Sequence, residues 1–271
     1  MIASQTELHT YLSIAKEAAL LAGNFLFERS QSNLKVNFAE GKDIKIAADV
    51  NSEKIICKHL TQHSPFSILS EEKGFLQREN KDYMWIVDPL DGTMNYLRNI
   101  PLCCVSIGLW HKSEPLLGVV NNFNTNELYC GIMNQGAWIN DVAITVGDTH
   151  AKKEAVLCTG FPAQGDFSPD ALKNFIANVR LYKKIRMIGS AALSICYVAS
   201  GKTDVYYERD IMFWDIAAGI PIVLGAGGSA HYNQTQREYS YNVHVSNGEY
   251  VREDHGKCLK VGGMVRKGKR K

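Results

Sequence analysis

The sequence predicts an α+β fold built of stacked helical and sheet layers, and three observations predict it. Apolar residues recur at helical spacing near the start of the chain, from Leu8 to Leu26. The middle of the chain instead reads as short strands, at 102–110, 116–120 and 127–132, separated by Gly- and Asn-containing turns, which suits an antiparallel meander. Further on, strands and helices alternate without a βαβ rhythm, which argues against a doubly wound parallel sheet. A chain of 271 residues is long enough for one large domain, and 45% hydrophobic with 21% charged residues is ordinary for a globular protein. A net charge of +2 excludes a global field that would draw in nucleic acid or a membrane surface.

Taken in order, Ser4 and Glu7 have the spacing of a capping box. The helix they open carries Leu8, Tyr11, Leu12, Ala15, Ala18, Ala19, Ala22, Phe25 and Leu26 on one face and is predicted to run to about residue 28. Residues 33–48 read as two short strands around Glu40-Gly41-Lys42-Asp43. Asp49 then stands where a second helix, with Val50, Ile55, Ile56 and Leu60, needs an N-cap. Residues 66–69 form a short apolar strand leading to Glu71 and Glu72. The apolar run 84–87 ends in two acids three positions apart, Asp88 and Asp91. That pattern predicts a buried strand whose carboxyl end delivers both acids to a turn. Pro89 stiffens the turn, and Gly92 lets the backbone come close to a ligand. Residues 93–97 begin a short helix whose unpaired first amides suit a phosphate, while the carboxylates beside them suit Mg²⁺. Asp-Gly is also a common turn pair, so the two acids alone leave an ordinary turn as the alternative.

In the second half, an apolar strand at 155–159 enters Gly160-Phe161-Pro162. Ser168-Pro169 opens a helix with a cap followed by proline, and Leu172, Phe175, Ile176 and Val179 form its apolar face. Gly189, Ser190 and Ala191 lead into a helix through Leu193, Cys196 and Val198; residues this small serve either close helix packing or backbone approach to a ligand. A strand at 204–207 ends at Glu208. Phe213-Trp214-Asp215 opens a small-residue helix over 216–224, with Asp215 placed as its cap. A late strand at 243–246 and a final helix at about 250–259 complete the series. The seven cysteines are scattered, with no CxxC pair, and lie mostly in apolar strings, as buried free thiols of a reducing cytoplasm would. No signal-peptide pattern and no membrane-length apolar run is present. The basic residues of 266–271 read as a solvated tail.

The string Trp85-Ile86-Val87-Asp88-Pro89-Leu90-Asp91-Gly92-Thr93 resembles the central motif of the inositol monophosphatase family of Mg²⁺-dependent, lithium-sensitive phosphatases. Two further motifs occur in the family's order. They are Ile68-Leu69-Ser70-Glu71-Glu72 upstream and Trp214-Asp215-Ile216-Ala217-Ala218-Gly219, ending in Gly227-Gly228, downstream. The resemblance reaches from the first helix to Val245-Ser246-Asn247. It implies a single domain over 1–271, with approximate halves 1–150 and 151–265 and the tail 266–271, built as a layered αβαβα sandwich of the sugar-phosphatase type.

The same resemblance implies a site. Glu71, Asp88, the Leu90 carbonyl, Asp91 and Asp215 would hold two or three Mg²⁺ ions per subunit, since four carboxylates cannot be buried together without cations. Asp49, Glu71 and Thr93 would be catalytic, with Asp49 pairing with the motif threonine. Asp91, Gly92, Thr93, Gly189, Ser190, Ala191, Glu208 and Asp215 would contact substrate. The implied reaction is hydrolysis of a small phosphate monoester, foremost inositol 1-phosphate, by metal-activated water and without a phosphoenzyme. Histidinol phosphate, fructose 1,6-bisphosphate and 3′-phosphoadenosine nucleotides are the alternatives on the same scaffold. A different class of function is a regulatory partner of transcription machinery, binding protein or RNA. A homodimer in the cytoplasm, with no membrane partner, completes the expectation. Two positions depart from relatives: Phe38, where vertebrate inositol enzymes carry a lysine in the 38–43 loop near the third metal, and Ala163, where some members place a serine near the substrate.

Overall fold

A computed structural model describes residues 3–30, 36–40, 43–161 and 167–248 of the chain. The predicted helix at 250–259, the tail 266–271 and Ala163 lie outside the described residues, as do the side chains of the 38–43 loop.

Helix α1 (Gln5–Ser30) starts at the predicted capping box: the Glu7 N–H donates to Ser4 Oγ at 3.4 Å, and the Ser4 N–H donates to Glu7 Oε2 at 2.7 Å. Strands β1 (Val36–Glu40) and β2 (Asp43–Ile46) pair antiparallel and lead directly into α2 (Ala47–His63). There follow β3 (Phe66–Ser70), β4 (Gly74–Leu76), β5 (Asn80–Asp91) and the short α3 (Thr93–Leu97). The predicted meander then runs through β6 (Cys104–His111), β7 (Glu114–Asn122), β8 (Glu127–Ile132), β9 (Gly136–Ile139) and β10 (Val142–Ala143). These strands form one eight-stranded sheet of order β10-β9-β8-β7-β6-β5-β3-β4, antiparallel throughout except where β3 lies parallel to β5.

The second half contributes β11 (Val156–Thr159), α4 (Pro169–Val179), β12 (Lys184–Arg186), α5 (Ala191–Ala199) and β13 (Val205–Met212). It ends with α6 (Phe213–Ile216), α7 (Gly219–Gly225), β14 (Ser229–Gln234) and β15 (Ser240–Ser246). Its five strands form a sheet of order β12-β11-β13-β15-β14. Here the structure differs from the sequence reading, because β11, α4 and β12 make a parallel βαβ unit. Strand β12 escapes sequence reading because it is three residues long, exposed throughout and made of Lys184, Ile185 and Arg186.

Alternation along the strands divides the apolar side chains between the two faces of the large sheet. Trp85, Val87, Ile107, Leu109 and Val119 pack with α1 and α2 on one side, while Ile86, Cys104, Val120 and Tyr129 pack with α5, α6 and α7 on the other. The small sheet closes the far side of those three helices, and Phe175 and Val179 of α4 cover its outer face against Leu157 and Val205. The layers therefore run α, β, α, β, α, as the resemblance implied.

The middle helices lie unusually close to the large sheet. Gly108, Gly118 and Gly131 are cross-strand neighbours on β6, β7 and β8, and a Cβ on Gly118 would fall 2.0 Å from the Ala218 carbonyl oxygen. The predicted single helix over 216–224 is two helices, α6 and α7. Pro221 has no N–H to donate to the Ala217 carbonyl four residues back, and the Trp110 indole takes that carbonyl instead at 2.9 Å.

Candidate active site

The site forms where β5 meets the middle helices. The sequence predicted a turn after residue 87, but β5 continues through Asp91. Asp88 pairs with Ser106 and Asp91 with Cys104, so three steps on β5 face two on β6. That is a β-bulge, and it also accommodates Pro89 within a strand. Its consequence is decisive: positions three apart normally face opposite sides of a sheet, and the extra residue turns both acids toward the helices. The Ser52 hydroxyl on α2 donates to the Pro89 carbonyl at 2.9 Å, pinning the bulge from behind. Leu90 points the other way into the core, while its carbonyl accepts the Thr93 hydroxyl at 3.2 Å. Gly92 adopts φ 90° and ψ 38° at the start of α3, where a Cβ would fall 2.8 Å from the Leu102 carbonyl oxygen.

Asp215 arrives from α6, as the third helical residue rather than its cap, and accepts from the Met212 N–H at 3.2 Å. One oxygen from each of Asp88, Asp91 and Asp215 lies within 4.8 Å of the others. Burial drives Asp88 well above the usual carboxylate range, helped by the charges of Glu71, Asp91 and Asp215. Asp215 is driven up the same way, by burial and then by Asp91 and Glu71. Burial pushes Asp91 up to about 6, against the pull of its hydrogen bonds. Three donors converge on its Oδ2: the Ser190 hydroxyl at 2.6 Å, the Ala192 N–H at 2.8 Å and the Cys104 thiol at 3.9 Å.

The remaining predicted residues distribute around this cluster. Glu71 follows β3, half-buried, with its N–H donating to the Val87 carbonyl at 3.2 Å. It stands outside the three-oxygen cluster, although its charge acts on Asp88 and Asp215. Asp49 is not the N-cap of α2; the helix begins at Ala47, so Asp49 sits buried within its first turn. Gly189 lies beside Asn95, whose amide donates to the Ile188 carbonyl at 2.7 Å. Ser190 caps α5 and Ala191 begins it, and the Ser190 hydroxyl is committed to Asp91. Glu208 does not end its strand, since β13 continues past a second bulge to Met212. It is buried, accepts the Tyr206 hydroxyl at 2.8 Å, and is pushed by burial to about 7. Sequence reasoning missed Ser52, Glu53, Cys104 and Tyr206. The first two had a signal in polar residues at 49, 52 and 53, the spacing of one helix face. The six described cysteines are free and buried as expected.

A model of the inositol monophosphatase family matches residues 7–258. The chain belongs to that family. It is an enzyme of the phosphoric monoester hydrolase type, and its family works with Mg²⁺. An inositol-1-monophosphatase of Synechocystis is 37% identical over 229 residues, covering 83% of this chain and 79% of that protein. A protein named Nus factor SuhB from Pasteurella multocida is 36% identical over 226 residues, covering 82% of this chain and 84% of the relative. Among solved structures, the extragenic suppressor protein suhB of Bartonella henselae superposes with a TM-score of 0.80 at 32% identity, covering 89% of this chain and 95% of that one. The donor set fits Mg²⁺, because the cluster is made only of hard carboxylate oxygens gathered in a buried place, where their charge calls for a cation. No helix among the described residues is long and apolar enough to cross a membrane.

Proposed function

We propose that this phosphatase hydrolyses an inositol monophosphate, releasing inositol and phosphate. The observation that carries the choice is Glu208, a buried acid held by Tyr206 and close enough to feel the charge of Asp91. An acid so placed, and not needed as a metal ligand, accepts hydrogen bonds from the hydroxyls of a polyol ring. Glu71, Asp88 and the Leu90 carbonyl would hold one Mg²⁺, Asp88, Asp91 and Asp215 a second, and Glu71 a weaker third; bound there, the ions would lower the pKa of the attacking water and stabilise the leaving alkoxide. Thr93 Oγ, at the start of α3, orients the water and Asp49, in the first turn of α2, acts with it as general base. The Gly92 and Thr93 amides donate to the phosphate oxygens as their charge shifts. Gly189 and the Ala191 amide border the ring, whereas Ser190 acts through Asp91. Lithium inhibits by competing for these ligands.

The enzyme works in the cytoplasm as a homodimer, and the homodimer is supported by exposed apolar side chains at Leu172 and Ile176 of α4, Leu181 of the turn after it and Ile185 of β12. The relatives named Nus factor SuhB favour a second reading, in which the same chain also binds transcription machinery; capture of RNA polymerase components by the purified protein tests it. The substrate assignment is tested by phosphate release with Mg²⁺ across inositol 1-phosphate, histidinol phosphate, fructose 1,6-bisphosphate and a 3′-phosphoadenosine nucleotide. Inositol phosphate is expected to give the highest kcat/KM, and a higher value for any of the others replaces it as substrate.

A further inference from the structure

Helix α2 presents Asp49, Ser52, Glu53 and Ile56 toward the large sheet, and all four are buried. A helix face packed on a sheet is ordinarily apolar, so three polar residues in the first two turns call for an explanation. Ser52 has one in the Pro89 carbonyl. Glu53, with no exposed surface at all, reaches the turn at 70–73. Its Oε1 accepts both the Ser70 hydroxyl and the Lys73 N–H, the latter at 3.0 Å, and its Oε2 lies 3.6 Å from Lys73 Nζ. Ser70 and Lys73 flank Glu71. The Glu71 N–H donates to the carbonyl of Val87, the residue before Asp88.

We propose that Glu53 is a positioning residue for metal binding: it fixes the turn at 70–73 so that Glu71 is aimed at the Asp88–Asp91–Asp215 cluster. An apolar side chain at this position would leave the Ser70 hydroxyl and the Lys73 N–H without their buried acceptor, and the turn would move to find water. The same first two turns of α2 thus brace two of the three sequence segments that supply carboxylates, Ser52 holding the bulge and Glu53 holding the turn. The inference rests on Glu71 being a metal ligand.

The test is calorimetric titration of the full chain with Mg²⁺. Glu53→Ala is expected to weaken binding by about tenfold or more, as loss of groups supporting metal ligands commonly does. Glu53→Gln keeps an acceptor oxygen and is expected to restore most of it. Leu60→Ala, on the same helix two turns further along, is expected to lower Tm while leaving Mg²⁺ affinity unchanged. Unchanged affinity in Glu53→Ala, or an equal loss in Leu60→Ala at matched stability, overturns the proposal. If Glu53→Ala does not fold, Ser70→Ala is read in its place with the same outcomes. Glu71→Gln run alongside separates the two claims: if it binds Mg²⁺ as well as wild type, Glu71 is not a ligand, whereas if only Glu53→Ala is silent, Glu53 alone loses its role.

Discussion

At the scale of single residues, the site is a set of acids held against their own repulsion. Glu208 illustrates the cost. Its folded-state pKa of about 7 lies above the ordinary value of 4.5 because burial disfavours the charged form. The protonated form therefore favours folding: the contribution is complete below the unfolded pKa and is lost as pH rises through about 7. Glu208→Gln cannot ionise, so in metal-free protein its stability relative to wild type should grow between pH 5 and pH 8 by up to about 3 kcal/mol. Denaturant melts of both proteins at the two pH values check this, and parallel stability profiles would return Glu208 to a solvated environment. The clustered acids were legible in the sequence because Asp88, Asp91 and Asp215 sit in recognisable strings. The role of Ser190 was not, because its hydroxyl bonds an acid 99 residues earlier in the chain, a contact that no local pattern encodes.

At the scale of elements, two irregularities aim the acids. The bulge in β5 puts Asp88 and Asp91 on one face, and the glycine row across β6, β7 and β8 lets the segment after Asp215 lie directly on the sheet. Gly118→Ala would drive a Cβ into the backbone at Ala218. Overpacking of this kind costs about 1–3 kcal/mol, and here it also shifts α6 and Asp215 with it. The expected result is a lower Tm together with weaker Mg²⁺ binding, read by thermal melts with and without the ion. A variant that loses stability but keeps full Mg²⁺ affinity would show that the close contact does not position Asp215. Helices α1, α2 and α4 and the meander followed from periodicity, but both bulges did not. A bulge adds one residue to a strand without changing its apolar character, and β13 reads as ended at Glu208 for the same reason.

At the scale of the whole molecule, the five layers place the site at a seam, with β5 on one side and α5 and α6 on the other. The layering was expected from the resemblance. The βαβ unit in the small sheet was not, because β12 carries no apolar signature. The exposed apolar side chains of α4 lie on the outermost layer, away from the large sheet. If they form the homodimer contact, Ile176→Glu should convert a dimer at micromolar concentration into a monomer in sedimentation without loss of the fold; an unchanged dimer moves the contact elsewhere.

The central claim is that Asp88, Asp91 and Asp215, brought together by the bulge, hold the Mg²⁺ that drives phosphate-ester hydrolysis. Its most direct test is phosphate release from inositol 1-phosphate by the wild-type enzyme, measured first in excess chelator and then after Mg²⁺ is restored. The account predicts no turnover in chelator and full recovery with Mg²⁺; an undiminished rate in chelator would contradict it.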